Sequence, residues 1–235
     1  MILSHEYRFI FFKTRKTAGT SIEIALSKFC GNQDIITRIT KKDEQLRSQL
    51  GFKGPQNYLV KASKYGFLDI LKIIRDGRLR INNHDPASLL TKYIDKEIFD
   101  EYHKFTVVRN PWDMAVSMYY WQINGPSNQF SSNMSFKDFI NHCPRELLDN
   151  SLIYVIDGES VIDTYIRFEN LIGDWIDLAN VIGIEGVELP KAKSGTRKNK
   201  SHYSLIYDDE DVEFIRKICS WEIENFGYEF EDNRF

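Results

Sequence analysis

At 235 residues, 42% of them hydrophobic and 14% aromatic, the chain has enough apolar side chain to bury a large core in one domain. Its formal net charge of -3 argues against a general nucleic-acid binder, whose footprint is a basic surface. Cys30, Cys143 and Cys219 are widely spaced with neither a CxxC pair nor metal-ligand spacing, which fits reduced, buried thiols and predicts no metal site.

Strand-like sequence begins by Tyr7 and no apolar run approaches the length of a membrane span. Neither a signal peptide nor a transmembrane segment is therefore expected, and the cytoplasm is the expected location. Residues 7–12, YRFIFF, read as a buried strand, and from Ser21 onward Ile22, Ala25, Leu26 and Phe29 fall on one helical face. Between them KTAGTS, residues 16–21, is a turn suited to a phosphate. Gly19 lets backbone come close to a ligand, Thr17, Thr20 and Ser21 offer hydroxyls, Lys16 adds a positive charge, and the N–H groups of a helix start attract an anion. The same Thr and Ser residues can also cap a helix without any ligand. In the P-loop pattern Lys follows the second Gly, whereas here Lys16 precedes Gly19, so an ordinary ATPase or GTPase loop is not matched.

Residues 32–76 are charged at first, broken at Gly51 and at Gly54-Pro55, then apolar with helical spacing at Phe67, Ile70, Leu71 and Ile74. They read as a helical insertion of one or two helices joined by a loop. GRLRIN, residues 77–82, reads as a second short strand, and Pro86 as the first residue of a helix capped by Asp85 and continued by Ala87, Leu89, Leu90 and Tyr93. His84 would then sit at the carboxyl end of a strand, where open α/β sheets bind ligands; a single His is also compatible with a structural role.

In residues 104–121, FTVV is a buried strand, Arg109-Asn110 leave its carboxyl end, and Pro111 opens a helix. Arg109 and Ser117, about two turns apart, can reach one anion; equally, Arg109 can pair with a neighbouring carboxylate and Ser117 can bond back to its helix. Trp112, Tyr119, Tyr120 and Trp121 read as core, although aromatics also stack on sugars. Asp157-Gly158 signals a hairpin, and an amphipathic helix follows through Trp175, Leu178 and Val181. KAKSGTRKNK, residues 191–200, is a basic loop. The C-terminal stretch reads as one capped helix with Val212, Ile215, Cys219, Ile223 and Phe226 inward, closed by Gly227.

Taken in order, KTAGTSIE, HDPASLL, FTVVRNPWDMAVSMYYW, YIRFENL and HYSLIYDDEDVEFI…NFGYEF resemble the sulfotransferases that use 3'-phosphoadenosine-5'-phosphosulfate (PAPS), specifically the carbohydrate type. The resemblance runs from about residue 7 to 230 and is weakest over residues 32–76. It implies an α/β fold with a central, mainly parallel sheet flanked by helices, a P-loop-like strand-turn-helix nucleotide site, and one sulfotransferase domain over residues 1–235. It implies PAPS as donor, no metal, and a carbohydrate or glycolipid as acceptor. Arg15, Lys16, Thr17, Ala18, Gly19, Thr20 and Ser21 would hold the 5'-phosphosulfate, with Lys16 on the oxygen that bridges phosphorus and sulfur. Arg109 and Ser117 match the pair on the 3'-phosphate, Arg197 of the basic loop would close over the nucleotide, and His84 matches the general base. The sequence departs from many relatives in having Arg15 for Pro and Met114 for Arg. The rival readings are a nucleotide or sugar kinase using ATP and Mg²⁺, and a protein that binds the nucleotide without turnover.

Overall fold

The computed structural model describes residues 1–67, 69, 73, 77, 79–125, 130–184, 186, 188–190 and 201–234. Its central sheet has five strands in the order β3-β1-β2-β4-β7: β1 (Ile2–Ser4), β2 (Phe9–Phe12), β3 (Ile35–Ile36), β4 (His103–Val108) and β7 (Thr164–Arg167). β1 runs antiparallel to both its neighbours, while β2, β4 and β7 are parallel. The direction of β3 therefore follows that of β2, leaving β1 as the one reversed strand. A separate hairpin joins β5 (Val155–Ile156) to β6 (Glu159–Ser160). Its turn residues Asp157 and Gly158 have φ of 52° and 87°, the positive values that a tight two-residue turn needs and that the Asp-Gly pair predicts.

Side chains alternate across the sheet as the period of two requires. Ile2, Phe9, Phe11, Phe105, Val107 and Ile166 point to one face, and Leu3, Ile10, Phe12 and Val108 to the other. The first face is covered by α1 (Gly19–Leu26), through Ile22, Ala25 and Leu26, and by a helix over Leu171–Val181, through Trp175, Leu178 and Ala179. The second face carries the larger core. It holds α2 (Ala87–Tyr93), α3 (Lys96–Glu101), α4 (Pro111–Asn124), α5 (Phe136–His142), α6 (Asp209–Ile218) and α7 (Ser220–Phe226). β2 and β4 are adjacent and parallel, yet the chain leaves β2 for the first face through α1 and leaves β4 for the second through α4. That divergence opens a crevice at the carboxyl ends of the strands, where doubly wound sheets bind ligands.

Several local readings are corrected. β1 and β3 extend the sheet beyond YRFIFF, and within residues 32–67 the structure holds β3, a helix over Lys41–Gln49 and a 3₁₀ turn over Ala62–Lys64. Ile70, Leu71 and Ile74 lie outside the described residues. Arg80 pairs with Leu59 in an isolated antiparallel bridge, with hydrogen bonds from Val60 N to Leu79 O and from Ile81 N to Tyr58 O, so this pairing stands apart from the main sheet. Pro86 caps α2 from outside, because Asp85 is already engaged by Asn82. Val181 is 62% exposed, since its helix packs through Trp175 and Leu178. The C-terminal helix breaks at Cys219 into α6 and α7, and Gly227 ends it with φ of 64°. Phe226 is only partly buried, and Cys143 is likewise not fully covered.

Candidate functional site

The crevice is a cleft of about 530 Å³ lined by residues 13–21, Thr40, Asn83, His84, Arg109, Ser117, Met118, Trp121, Gln122, Leu147 and Phe168. Six stretches far apart in sequence thus meet, and among their residues are Arg15, Lys16, Thr17, Ala18, Gly19, Thr20, Ser21, His84, Arg109 and Ser117. Arg197 lies outside the described residues, with the rest of the basic loop.

Sharp local geometry shapes the loop between β2 and α1. Lys16 and Ala18 both take φ of 61°, a left-handed conformation that costs a residue with a side chain of order 1 kcal/mol or more. Gly19 itself has ordinary helical backbone. Its value lies in space, because a Cβ there would come within 2.8 Å of Lys13 Cγ. Thr17 turns inward, its hydroxyl 2.8 Å from that of Thr14, so Thr17 meets the cleft through its backbone. The N–H groups of Thr17, Ala18, Gly19 and Thr20 have no hydrogen-bond acceptor among the described residues, while those of Ser21 and Ile22 both reach Ala18 O.

Beneath the loop is a buried ionic cluster. Lys13 Nζ lies 2.5 Å from Glu23 Oε2, and the Met1 amine and Arg47 Nη2 lie 3.3 and 3.6 Å from Oε1. Burial alone would raise the Glu23 carboxyl, but Lys13, the Met1 amine and Arg47 outweigh it and hold the group at about 2. The Lys13 carbonyl, facing the cleft, is 2.7 Å from His84 Nδ1. A carbonyl only accepts, so Nδ1 carries the proton and Nε2 of a neutral ring keeps its lone pair. Burial, with Lys13 and Arg15 nearby, holds His84 well below the usual histidine range.

On the opposite wall, Arg109 Nη1 donates to Lys16 O at 2.5 Å, and Nε and Nη2 donate to Asp113 Oδ2 at 2.9 and 2.5 Å. Phe168 covers the guanidinium 4.0 Å from its centre. Three of the five N–H donors are thereby used and two remain. The carboxylate pairing that the sequence left open is present. The back-bond to the helix is not, because the Ser117 hydroxyl has no hydrogen bond among the described residues. Lys16 Nζ lies 4.6 Å over the Trp121 ring, and Gln122 Oε1 is a buried acceptor with no partner among the described residues. Met114 is buried in the core and is not among the residues that line the cleft.

Asn110 fixes the turn that presents Arg109. Its side chain accepts from the N–H groups of Trp112 and Asp113 at the start of α4, and its own N–H donates to Glu169 Oε1 at 2.7 Å. A family model described as the sulfotransferase family matches residues 1–229. The chain belongs to the sulfotransferase family. No curated protein and no solved structure matches. In this sulfotransferase the later pieces of the family pattern are tied to the cleft: Glu169 of YIRFENL holds Asn110, and Glu229 O of NFGYEF accepts from Asn110 Nδ2 at 3.0 Å. Among the described residues no helix is long and apolar enough to cross a membrane, and no group of three His, Cys, Asp or Glu is placed to hold a metal.

Sequence reasoning missed Trp121, Gln122, Asn83, Thr40 and Phe168 as lining residues. Of the four aromatics on α4, Trp112 and Tyr119 are buried core, whereas Trp121 faces Lys16. Its position four residues beyond Ser117, one helical turn, was the signal available.

Proposed function

We propose that this sulfotransferase moves the sulfuryl group of PAPS to a hydroxyl of a carbohydrate or glycolipid acceptor, in the cytoplasm. The observation that carries the reading is the convergence of the 15–21 loop, His84, Arg109 and Ser117 on one cleft. The chemistry present suits such a donor. Four loop N–H groups without acceptors meet one phosphate, the two remaining donors of Arg109 with the Ser117 hydroxyl meet another, and Gln122 Oε1 accepts from a ligand hydroxyl or amine. When bound, the donor supplies the sulfuryl group: its sulfur–oxygen bond to the bridging oxygen breaks as sulfur bonds the acceptor oxygen, and the electron pair stays on the bridging oxygen.

His84 takes the proton from the acceptor hydroxyl on Nε2, the nitrogen left unprotonated by the bond to the Lys13 carbonyl. Lys16 stands at the lip to stabilise negative charge on the leaving oxygen, steadied on its far side by the Trp121 ring. The Lys13–Glu23 pair anchors the strand end whose carbonyl orients His84. Transfer by this route needs the acceptor in line with the leaving oxygen, which two walls contributed by different segments can enforce.

Calorimetric titration with 3',5'-adenosine bisphosphate, with 5'-AMP and with ATP plus Mg²⁺, on the wild type and on Arg109→Ala, tests the donor. The bisphosphate is expected to bind most tightly, and Arg109→Ala to weaken it at least tenfold while leaving 5'-AMP within about threefold. Preference for ATP with Mg²⁺ would sink the reading in favour of a kinase.

A further inference from the structure

A second cleft of about 410 Å³ adjoins the first and shares Arg15, Asn83 and His84 with it. Its remaining lining is Arg38, Tyr58, Arg80, Ile81, Asn82 and Asp85. Three guanidinium groups therefore surround one space in a chain of net charge -3. None of the three forms an ion pair among the described residues. The cleft's one carboxylate, Asp85, is taken up by the N–H and side-chain amide of Asn82. In a protein whose acidic groups outnumber its basic ones, three unpaired arginines around one concavity are a charge arrangement built for an anion that is not part of the chain.

The scaffold holds the backbone of Arg15 and places Arg38 and Arg80 at the rim. The side chain of Asn150, itself buried, accepts from Arg15 N at 2.8 Å and donates to Arg15 O at 3.0 Å, so the loop holds Arg15 at the seam between the clefts. Burial lowers the Arg15 guanidinium from its ordinary range, with Glu146 acting against that only at a distance. The pairing of residues 58–60 with 79–81 sets Arg80 opposite Leu59 and Tyr58 opposite Ile81; Tyr58 and Arg80 both line the cleft, and Arg38 lies over the Tyr58 ring at 4.9 Å. Arg38 and Arg80 are exposed, which leaves them free to close on a ligand without unfolding anything. Tyr58 adds an aromatic surface to which an apolar sugar face can pack.

Accordingly, we propose that the cleft of Arg15, Arg38 and Arg80 is the acceptor site and that it takes a saccharide bearing a carboxylate or sulfate near the hydroxyl to be modified. The assignment rests on the sulfuryl-transfer reading, since His84 faces both clefts and must receive the acceptor's proton. Arg15 on this view serves the acceptor more than the nucleotide. The acidic group is held by forked, charge-assisted contacts, and its neighbour hydroxyl is thereby directed at Nε2 of His84.

Calorimetry of the full chain with three disaccharide probes decides it: one bearing glucuronate, one bearing a single sulfate, and their neutral parent, each in the presence and absence of 3',5'-adenosine bisphosphate. At least one acidic probe is expected to bind ten or more times tighter than the neutral parent, and the stronger of the two identifies the anion. In the Arg38→Gln/Arg80→Gln double variant that preference should fall at least tenfold while bisphosphate affinity stays within about twofold. Equal binding of all three probes, or an unchanged preference in the double variant, would overturn the acceptor site and leave the donor reading standing. Absence of bisphosphate binding with the charge preference intact would overturn the donor reading, and with it the naming of this cleft as an acceptor site, while leaving the anion subsite standing.

Discussion

In the proposed mechanism His84 takes the acceptor's proton, and its own protonation follows from one contact. Because the Lys13 carbonyl takes the proton of Nδ1, and because burial among Lys13 and Arg15 disfavours imidazolium, the ring is neutral through the physiological range. A base must be unprotonated to act, and a lowered value places its loss of function in acid. The pH profile of kcat/KM should therefore be flat across neutrality, with its acid limb below 6.5, the ordinary value of histidine. His84→Ala should lower kcat by roughly 10² to 10⁴-fold with bisphosphate affinity retained, as steady-state kinetics and calorimetry would register. An acid limb well above the ordinary histidine value would show that another group carries the proton. At this scale the sequence was informative about identity and less so about posture. Lys16, His84 and Arg109 were recognisable from their motifs. The pairing of Arg109 with Asp113, four residues on, was one of the readings the sequence left open, whereas the bonds of Arg109 to Lys16 O and of the Thr14 hydroxyl to Val107 O join distant segments, which no local pattern encodes.

Among the elements, the β2–loop–α1 unit is the most tightly specified. Gly19→Ala would push a methyl against Lys13 Cγ, and the Lys13 stem cannot swing away because its ammonium is pinned to Glu23 beneath the helix. The substitution is expected to cost about 1–3 kcal/mol, as overpacking generally does, and to weaken bisphosphate binding, both readable by thermal melting and titration. Unchanged melting would mean that the loop has slack the contacts do not suggest. The elements legible in the sequence, β2, α1, β4 and α4, are those whose apolar spacing and terminal residues agree: FIFF before a small-residue turn, and VV before Arg109-Asn110-Pro111. β1 and β3 were not legible, because three- and two-residue strands have no period of their own and exist only by pairing with a neighbour. The break at Cys219 is similarly invisible to a helical pattern whose apolar positions continue in phase on either side.

Over the whole molecule, two buried carboxyls set opposite responses to pH. Glu23 is held at about 2, so its contribution is present above the ordinary carboxyl value of 4.5 and is lost as pH falls through about 2. Glu222, 1% exposed with Tyr154 as its hydrogen-bond donor, is pushed up to about 8 by burial, a rise the Tyr154 hydroxyl opposes and Asp149 assists. The folded state therefore keeps a proton on Glu222 that the unfolded state gives up, and the associated stability, complete below 4.5, declines as pH rises through about 8. Glu222→Gln removes that titration, so its melting temperature relative to wild type should climb steadily from pH 5 to 8. A difference constant with pH would show that Glu222 is ionised in the folded protein.

The Asn110 side chain that sets the Arg109 turn is fastened to the carbonyl of Glu229, and the Glu169 carboxylate that holds its N–H is met by the Tyr228 hydroxyl at 3.4 Å. The loop at residue 16 is in turn tied to Arg109. Synthesis makes this loop well before the residues at 169 and 229 that complete its fastening. The growing polypeptide therefore carries parts of the cleft before it can hold them in register.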